Sequence, residues 1–533
     1  MVIMKKTLFA LLALISLSGN VFSDLTWSSP VSISTALVNA SDPHTVIDSS
    51  GNATAVWVEN NTIMSASLPS GGSWGTPVAI STIGNTASNP KLVIDASGNA
   101  TALWIENTVV TSATLPSGGS WSAETAVSSS GASNAVVTVD SSGNAVAAWV
   151  RSGFVESSTR KSGTWSLVSV LSASGSSNPS VTISDSGTAM AAWHSTSSGS
   201  DVIVTNSLNV STNTWASSTK NVFPAVAAFL HNYPKIAIDA FGNATVAWFR
   251  YNLVDSNAYE NVQVLTASLT FSATNSSNWS LPTILSNPGI RNPADLSIKL
   301  RYDTNGDILA VWTNSYDGQT FNMESTDKIF GAASWPLVNT PAFPTIYDFA
   351  FDVSTVSGMA VLAYMEWDGT SVLSIQSQQT DMSDPFTQTW TAPNLFSSGS
   401  DNGYPSVSVS RSGSTFNAVS VWINFNGTNT AINASTGTDN VVVAPTGVSA
   451  SQNSTNLGVY TDFYNTITWS ASSDPNLSGY NVYRNGVFIG STNTTTLTFV
   501  NHNQIQNGTV TYGVTAFTTA FRQSDLITFT LFP

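Results

Sequence analysis

"VIDSSGNATAVWVEN" runs from Val46 to Asn60, "VIDASGNATALWIEN" from Val93 to Asn107, and "TVDSSGNAVAAWVRS" from Thr138 to Ser152. In the first copy Ala53, Ala55, Trp57 and Glu59 share one face by period two, and Thr54, Val56 and Val58 share the other. Small Ala beside large Trp, with apolar residues on both faces, describes a strand covered on each side. The Asp-Ser-Ser-Gly-Asn before it has turn chemistry: Gly51 can take a positive φ, and the Asp48 side chain can accept from the turn amides. A strand–turn–strand brick laid repeatedly predicts a repeat architecture, with Asp, Gly and Trp as scaffold.

Working outward, the closing aromatic recurs as Trp57, Trp104, Trp149, Trp193, Trp248, Trp312, Tyr364 and Trp422. Six residues before it stands Gly51, Gly98, Gly143, Gly187, Gly242, Gly306 and Gly358, and the last copy keeps Gly413 with extra residues. A second Trp landmark opens a short apolar strand at Trp27, Trp74, Trp121, Trp165, Trp215, Trp279, Trp335 and Trp390. Repeats of about 50 residues with four short strands predict an all-β fold, an eight-bladed β-propeller over residues 24–441. Seven blades is the alternative, because the seventh and eighth copies are degenerate. The last copy ends without its fourth strand, and the Trp27 strand at the N-terminus is expected to supply it, which removes an open edge.

The N-terminus, with Lys5 and Lys6 before an apolar run from Leu8 to Leu17 and small residues at Val21 and Ser23, reads as a signal peptide over residues 1–23. No later segment has 18 consecutive apolar residues, so no transmembrane segment is expected in the mature chain. The chain has no Cys, only 9% charged residues and a net charge of −15. Such an acidic chain is a poor partner for nucleic acid, which rewards Lys and Arg. A secreted chain without Cys points to a bacterial protein at the cell surface or outside it.

Beyond Asp439 the pattern changes to short alternating strands with an Asn485-Gly486 turn. Residues 442–533 resemble a fibronectin type III domain on Pro445, Trp469, "SSDPNLSGYNVYRNG" from Ser472 to Gly486, and Tyr512. The resemblance implies a β-sandwich cored by Trp469 and Tyr512, acting as a spacer or binding module. The propeller repeats distantly resemble those of secreted sialidases. They depart from them in the spacing, since Asp48 lies nine residues before Trp57, and Arg151, Arg160, Arg250, Arg291, Arg301 and Arg411 carry no shared motif. The departure argues against that activity.

The four His, at 44, 194, 231 and 502, show no metal-ligand spacing and read as ordinary strand or surface residues. No catalytic residue, metal or cofactor is expected from any motif. Two residues past each aromatic the sequence varies: Glu59, Glu106, Arg151, Ser195, Arg250, Asn314, Glu366 and Asn424. If each ends its strand, they form a polar ring at one end of the propeller, and Glu59, Glu106, Arg151, Arg250, Asn314, Glu366 and Asn424 are the candidate ligand-binding residues. The expected function is a monomeric, secreted, non-catalytic binding protein for a glycan or a protein. The alternatives are a glycoside hydrolase or lyase with an accessory module, and a structural envelope protein.

Overall fold

The computed structural model describes residues 25–532 apart from 224–228, 254–258, 271–278, 293–295, 329–331, 337–345, 355–358, 368–372, 382–389, 398–401, 519–523 and scattered single residues or pairs. The signal-peptide reading of residues 1–23, Gly358 and Gly413 lie outside the described residues. Two compact units are present, one of Thr26–Ser383 with Pro393–Asn440, the other containing Val441–Pro533. Among the described residues every regular element is a strand, and no helix is long and apolar enough to cross a membrane.

The larger unit is built of small antiparallel sheets, consistent with a β-propeller. Ala40–Ile47, Ala53–Glu59, Thr62–Leu68 and Val78–Ala79 pair in chain order, and Ala87–Ile94, Ala100–Glu106, Val109–Leu115 and Thr125–Ala126 repeat the pattern. The last sheet of the unit runs Gly403–Ser412, Thr415–Phe425, Thr430–Asn440, and its outer edge is taken by the N-terminal segment, with Trp27 opposite Gly437 and Val31 opposite Ala434. Trp27 there packs edge-on against Phe396 at 4.3 Å, and Phe396 stacks on Trp422.

Local chemistry explains the brick. The Asp48 Oδ1 accepts from the amides of Ser50 and Asn52 at 2.8 Å each, and Oδ2 accepts from the Asn52 side-chain amide at 2.8 Å. Asp95, Asp140 and Asp239 repeat all three bonds. Gly98 in the second turn has φ +81°, and a Cβ there would meet the Asp48 Oδ2 of the preceding sheet at 2.9 Å, so glycine is required twice over. The landmark aromatics are wholly buried, with Trp57, Trp104, Trp149, Trp248, Trp312, Tyr364 and Trp422 at 0% exposure. The first strands of the first five sheets also carry a bulge, seen where Asp42, Asn89, Asn134, Asn178 and Tyr233 take φ of +50° to +56° and the register slips.

The smaller unit has a three-stranded sheet of Thr446–Asn456, Thr461–Ser470 and Thr498–Asn501, and a four-stranded sheet ordered Val487–Asn493, Leu477–Arg484, Val510–Thr518, Ile527–Leu531. Trp469, Tyr480 and Tyr512 are buried in one cluster with Ile467, Val482 and Val514. The Tyr512 hydroxyl accepts from the side-chain amides of Asn465 and Asn501 at 2.9 and 3.0 Å. Arg484 pairs with Val487, and Asn485 after it has φ +49°, while Gly486 lies outside the described residues.

Candidate functional site

The strand-end residues resolve into a structural rule. A buried indole N–H is stabilised by an acceptor. Glu59 Oε1 accepts from Trp57 Nε1 at 2.7 Å and from the Thr35 amide at 2.8 Å, and Glu106 accepts from Trp104 Nε1 at 2.9 Å and from the Asn85 side chain at 2.7 Å. Both glutamates are 5% exposed. In the third sheet the acid moves to the residue directly across from the Trp: Glu156 opposes Trp149 and accepts from its Nε1 at 3.0 Å. Arg151, at the strand end, then pairs with that same Glu156 at 2.5 and 2.9 Å. The sixth sheet repeats this, with Glu324 opposite Trp312 at 2.6 Å and Asn314 buried, donating to the Asn287 carbonyl. Burial pushes the Glu324 carboxyl up.

The other positions vary the same theme. His231 Nδ1 accepts from Trp248 Nε1 at 2.9 Å while the Arg250 guanidinium lies over Phe229 and donates to Gln263. Tyr364 donates to Gln376 across the strand, beside half-buried Glu366. Asn424 donates to Asn402 at 2.6 Å. All seven predicted residues occupy one register, but none lines either of the cavities described next. Glu59 and Glu106 are held by the buried indole beside each, and Asn314 by the Asn287 carbonyl and the Ser315 amide.

The space that can admit a ligand lies elsewhere. A cavity of about 580 Å³ is bordered by the first strand of every sheet in the larger unit, through residues such as His44, Leu92, Thr138, Ser180, Lys235, Lys299, Phe351 and Ser406. It continues into a cavity of about 520 Å³ at the turn end, ringed by Asp48, Asp95, Asp140, Asp239 and Asp303. Those turn carboxylates are already held by turn amides. One position is fixed by register: His44, Lys91, Val136, Ser180, Lys235, Lys299, Ala350 and Ser406 all pair with the residue just before the landmark aromatic, and His44, Ser180, Lys235, Lys299, Ala350 and Ser406 of these line the larger cavity.

Three of the chain's 16 Lys and Arg line this cavity, Lys235, Lys299 and, two residues further along its strand, Arg301, and a fourth, Lys91, reaches His44 of the lining. Lys91 Nζ stands 3.5 Å from His44 Nε2. Lys299 donates to the Phe349 carbonyl at 2.6 Å, and Arg301 Nε lies 3.4 Å from Asp352 Oδ1. Lys235 has no hydrogen-bond or ion-pair partner among the described residues. Enclosure by the strands, and then repulsion from Lys91 and Arg301, lowers the Lys235 ammonium. Enclosure lowers Lys299 to about 8 against the pull of Asp348, with Lys235, Arg301 and Lys91 adding to the fall. Enclosure, then Lys91, Lys299 and Arg301, hold His44 well below the usual imidazole range. Burial raises the Asp348 carboxyl, and Lys299 opposes that rise. The lining is therefore mixed, with Asp352 among the cations, Asp348 acting on Lys299 and Asp42 on Lys91.

Sequence reasoning missed this group. The signal was present as a column, four residues before the turn Asp, that reads His44, Lys91, Lys235 and Lys299 in a chain poor in cations. Among the described residues no group of three His, Asp or Glu is arranged to hold a metal ion.

No family model matches the chain, and no curated protein is found similar to it. Several solved structures share its general β architecture. An ulvan lyase of a polysaccharide lyase family is 10% identical over 76% of this chain and 95% of its own, with a TM-score of 0.43. An α-L-arabinofuranosidase from Fusarium graminearum is 12% identical over 68% of this chain and 99% of its own, at 0.37. A protein of unknown function from Dyadobacter fermentans is 10% identical over 79% of this chain and 100% of its own, at 0.40. Likeness at this level carries no argument about what this chain binds or does.

Proposed function

We propose that the chain is a secreted binding protein that takes an acidic saccharide into the central cavity of an eight-bladed propeller, with a fibronectin type III-like module at its C-terminus. The observation that carries this reading is the convergence of Lys91, Lys235, Lys299 and Arg301 on one cavity of a chain whose net charge is −15. Gathering like charges in a confined space costs stability. An anion there relieves that cost through charge-assisted hydrogen bonds. The acid in the same lining fits a sugar better than a bare inorganic anion: a carboxylate or sulfate meets the lysines, while a hydroxyl donates to Asp352.

The blade count is supported by the eight first strands that border the cavity, and the module by its three- and four-stranded sheets around Trp469 and Tyr512. Export rests on residues 1–23. In this reading Glu59, Glu106, Arg151, Arg250, Asn314, Glu366 and Asn424 serve the scaffold at the strand ends. The test is a calorimetric titration of residues 24–533 with a uronate oligosaccharide and with its neutral counterpart. Saturable, salt-sensitive binding of the uronate alone, weakened at least ~10-fold by Lys235→Ser with Lys299→Ser, is expected. Equal binding of both sugars, or no effect of the substitutions, would remove the reading. Cleavage of the sugar during the titration would move it to a glycoside hydrolase or lyase.

A further inference from the structure

The first strands of the first five sheets each place a small polar residue just before a bulge, and these repeats act as one another's controls. Ser41, Ser88 and Ser133 sit directly across from Val58, Ile105 and Val150, and Asn232 sits across from Phe249. In the fourth sheet alone of these five the facing residue is not apolar: Ser177 pairs with His194. The next hairpin departs as well. The first three sheets join Glu59 to Thr62, Glu106 to Val109 and Arg151 to Phe154 through two residues, whereas the fourth joins Ser195 to Val202 through residues 196–201. That longer connection delivers Asp201.

The result is a chain of contacts. Ser177 Oγ lies 3.1 Å from His194 Nδ1, and His194 Nε2 lies 2.5 Å from Asp201 Oδ1. With the ring proton on Nε2 donated to Asp201, Nδ1 is free to accept from the Ser177 hydroxyl. The His194 side chain is 11% exposed and that of Asp201 24%, and Ser177 is half-buried, so the group borders solvent. It lies apart from both central cavities.

We infer that Ser177, His194 and Asp201 form a nucleophile, base and orienting acid that hydrolyse carboxylic esters. The geometry is that of an activated serine: nucleophile within hydrogen-bond reach of a base, and the base held by a third group. A replacement of Val, Ile or Phe by a partly buried His with its own carboxylate breaks the repeat's packing rule, and such breaks mark functional positions. In the reaction the Ser177 oxygen bonds to the ester carbonyl carbon as its proton passes to His194 Nδ1. The carbonyl–alkoxide bond then breaks, and the alcohol leaves with that proton. Water next adds to the acyl-serine, giving a proton to His194. The Ser177–carbon bond breaks, the serine recovers the proton, and the acid is released. Asp201 stabilises the imidazolium in both halves. The net change is ester plus water to acid plus alcohol, and no other reactant is needed.

The experiment is labelling of residues 24–533 with a fluorophosphonate, followed by peptide mass spectrometry. Ser41, Ser88 and Ser133 in the same chain are the internal references. Modification of Ser177 should outpace that of Ser88 by at least ~100-fold, the lower end of what a positioned base contributes. His194→Gln, with its melting temperature measured in parallel, should slow the labelling by a similar factor. Hydrolysis of p-nitrophenyl acetate should fall to background in Ser177→Ala. Labelling of Ser177 no faster than Ser88 in the native protein overturns the inference without recourse to any variant. So does labelling that survives His194→Gln unchanged.

Discussion

Exchange of the acid that caps a buried Trp between its two observed positions tests the scaffold rule directly. In the second sheet Glu106 caps Trp104 from two residues along the strand, and Thr111 lies directly across. In the third sheet the cap is Glu156, directly across from Trp149, with Arg151 at the strand end. Glu106→Arg with Thr111→Glu converts the second arrangement into the third. Glu106→Arg alone leaves the fully buried Trp104 N–H without its acceptor, a loss of about 2–3 kcal/mol. The Asn85 amide, partly exposed, can turn to water at little further cost. Thr111→Glu alone places a second carboxylate beside Glu106 at a position now 5% exposed, and costs about 1–3 kcal/mol. The pair restores one cap and adds an Arg–Glu contact like that of Arg151 with Glu156. A double-mutant cycle by urea denaturation, read by tryptophan fluorescence, should give a favourable coupling of about 2 kcal/mol or more. Additive losses, within about 0.5 kcal/mol, would refute the rule.

Three further outcomes follow from the same contacts. Trp422 Nε1 is buried without an acceptor, so Trp422→Phe should cost about 1–3 kcal/mol less than Trp104→Phe in the same denaturation assay. A Cβ on Gly437 would lie 2.9 Å from the Trp27 ring, so Gly437→Val should detach the N-terminal strand, raising amide exchange at Thr26–Trp27 and Val31–Ser32 while leaving the Val441–Pro533 unit unchanged. Lys299, lowered to about 8, sheds its proton in the folded state before the unfolded chain does near ~10.4. Stability contributed by this group therefore rises with pH between those values, and Lys299→Met should flatten the rise seen in melting temperature from pH 7.5 to 9.5. By the same titration, uronate binding should weaken as pH passes through about 8.

The scaffold was legible because its signals are local. The Asp48-to-Asn52 turn, the alternation around Trp57 and the missing strand after Thr430–Asn440 each follow from short-range chemistry that repetition makes visible. The all-β class and the propeller-like sheets came from that repetition. The site was not legible in the same way. Glu59 and Arg151 occupy one alignment column and looked like one ring, but the acceptor of Trp57 lies in that column and that of Trp149 on the facing strand, where Met64 and Glu156 differ. A reading along one strand cannot see the residue across from it. The cavity lysines failed for a different reason. Lys91, Lys235 and Lys299 are separated by 64 residues or more, and only the gathering of their strands around one cavity brings them together. Likewise His194 reads as an ordinary strand residue until register sets it against Ser177 and the 196–201 connection brings Asp201 to its far side.

The most direct test of the central claim is a crystal of residues 24–533 soaked in an anomalously scattering oxyanion such as selenate. An anomalous peak in the central cavity, within hydrogen-bonding distance of Lys235 and of Lys91 or Lys299, and absent from the Lys235→Ser, Lys299→Ser variant, is the predicted result. Peaks confined to surface residues, with the cavity lysines uncontacted, would contradict it.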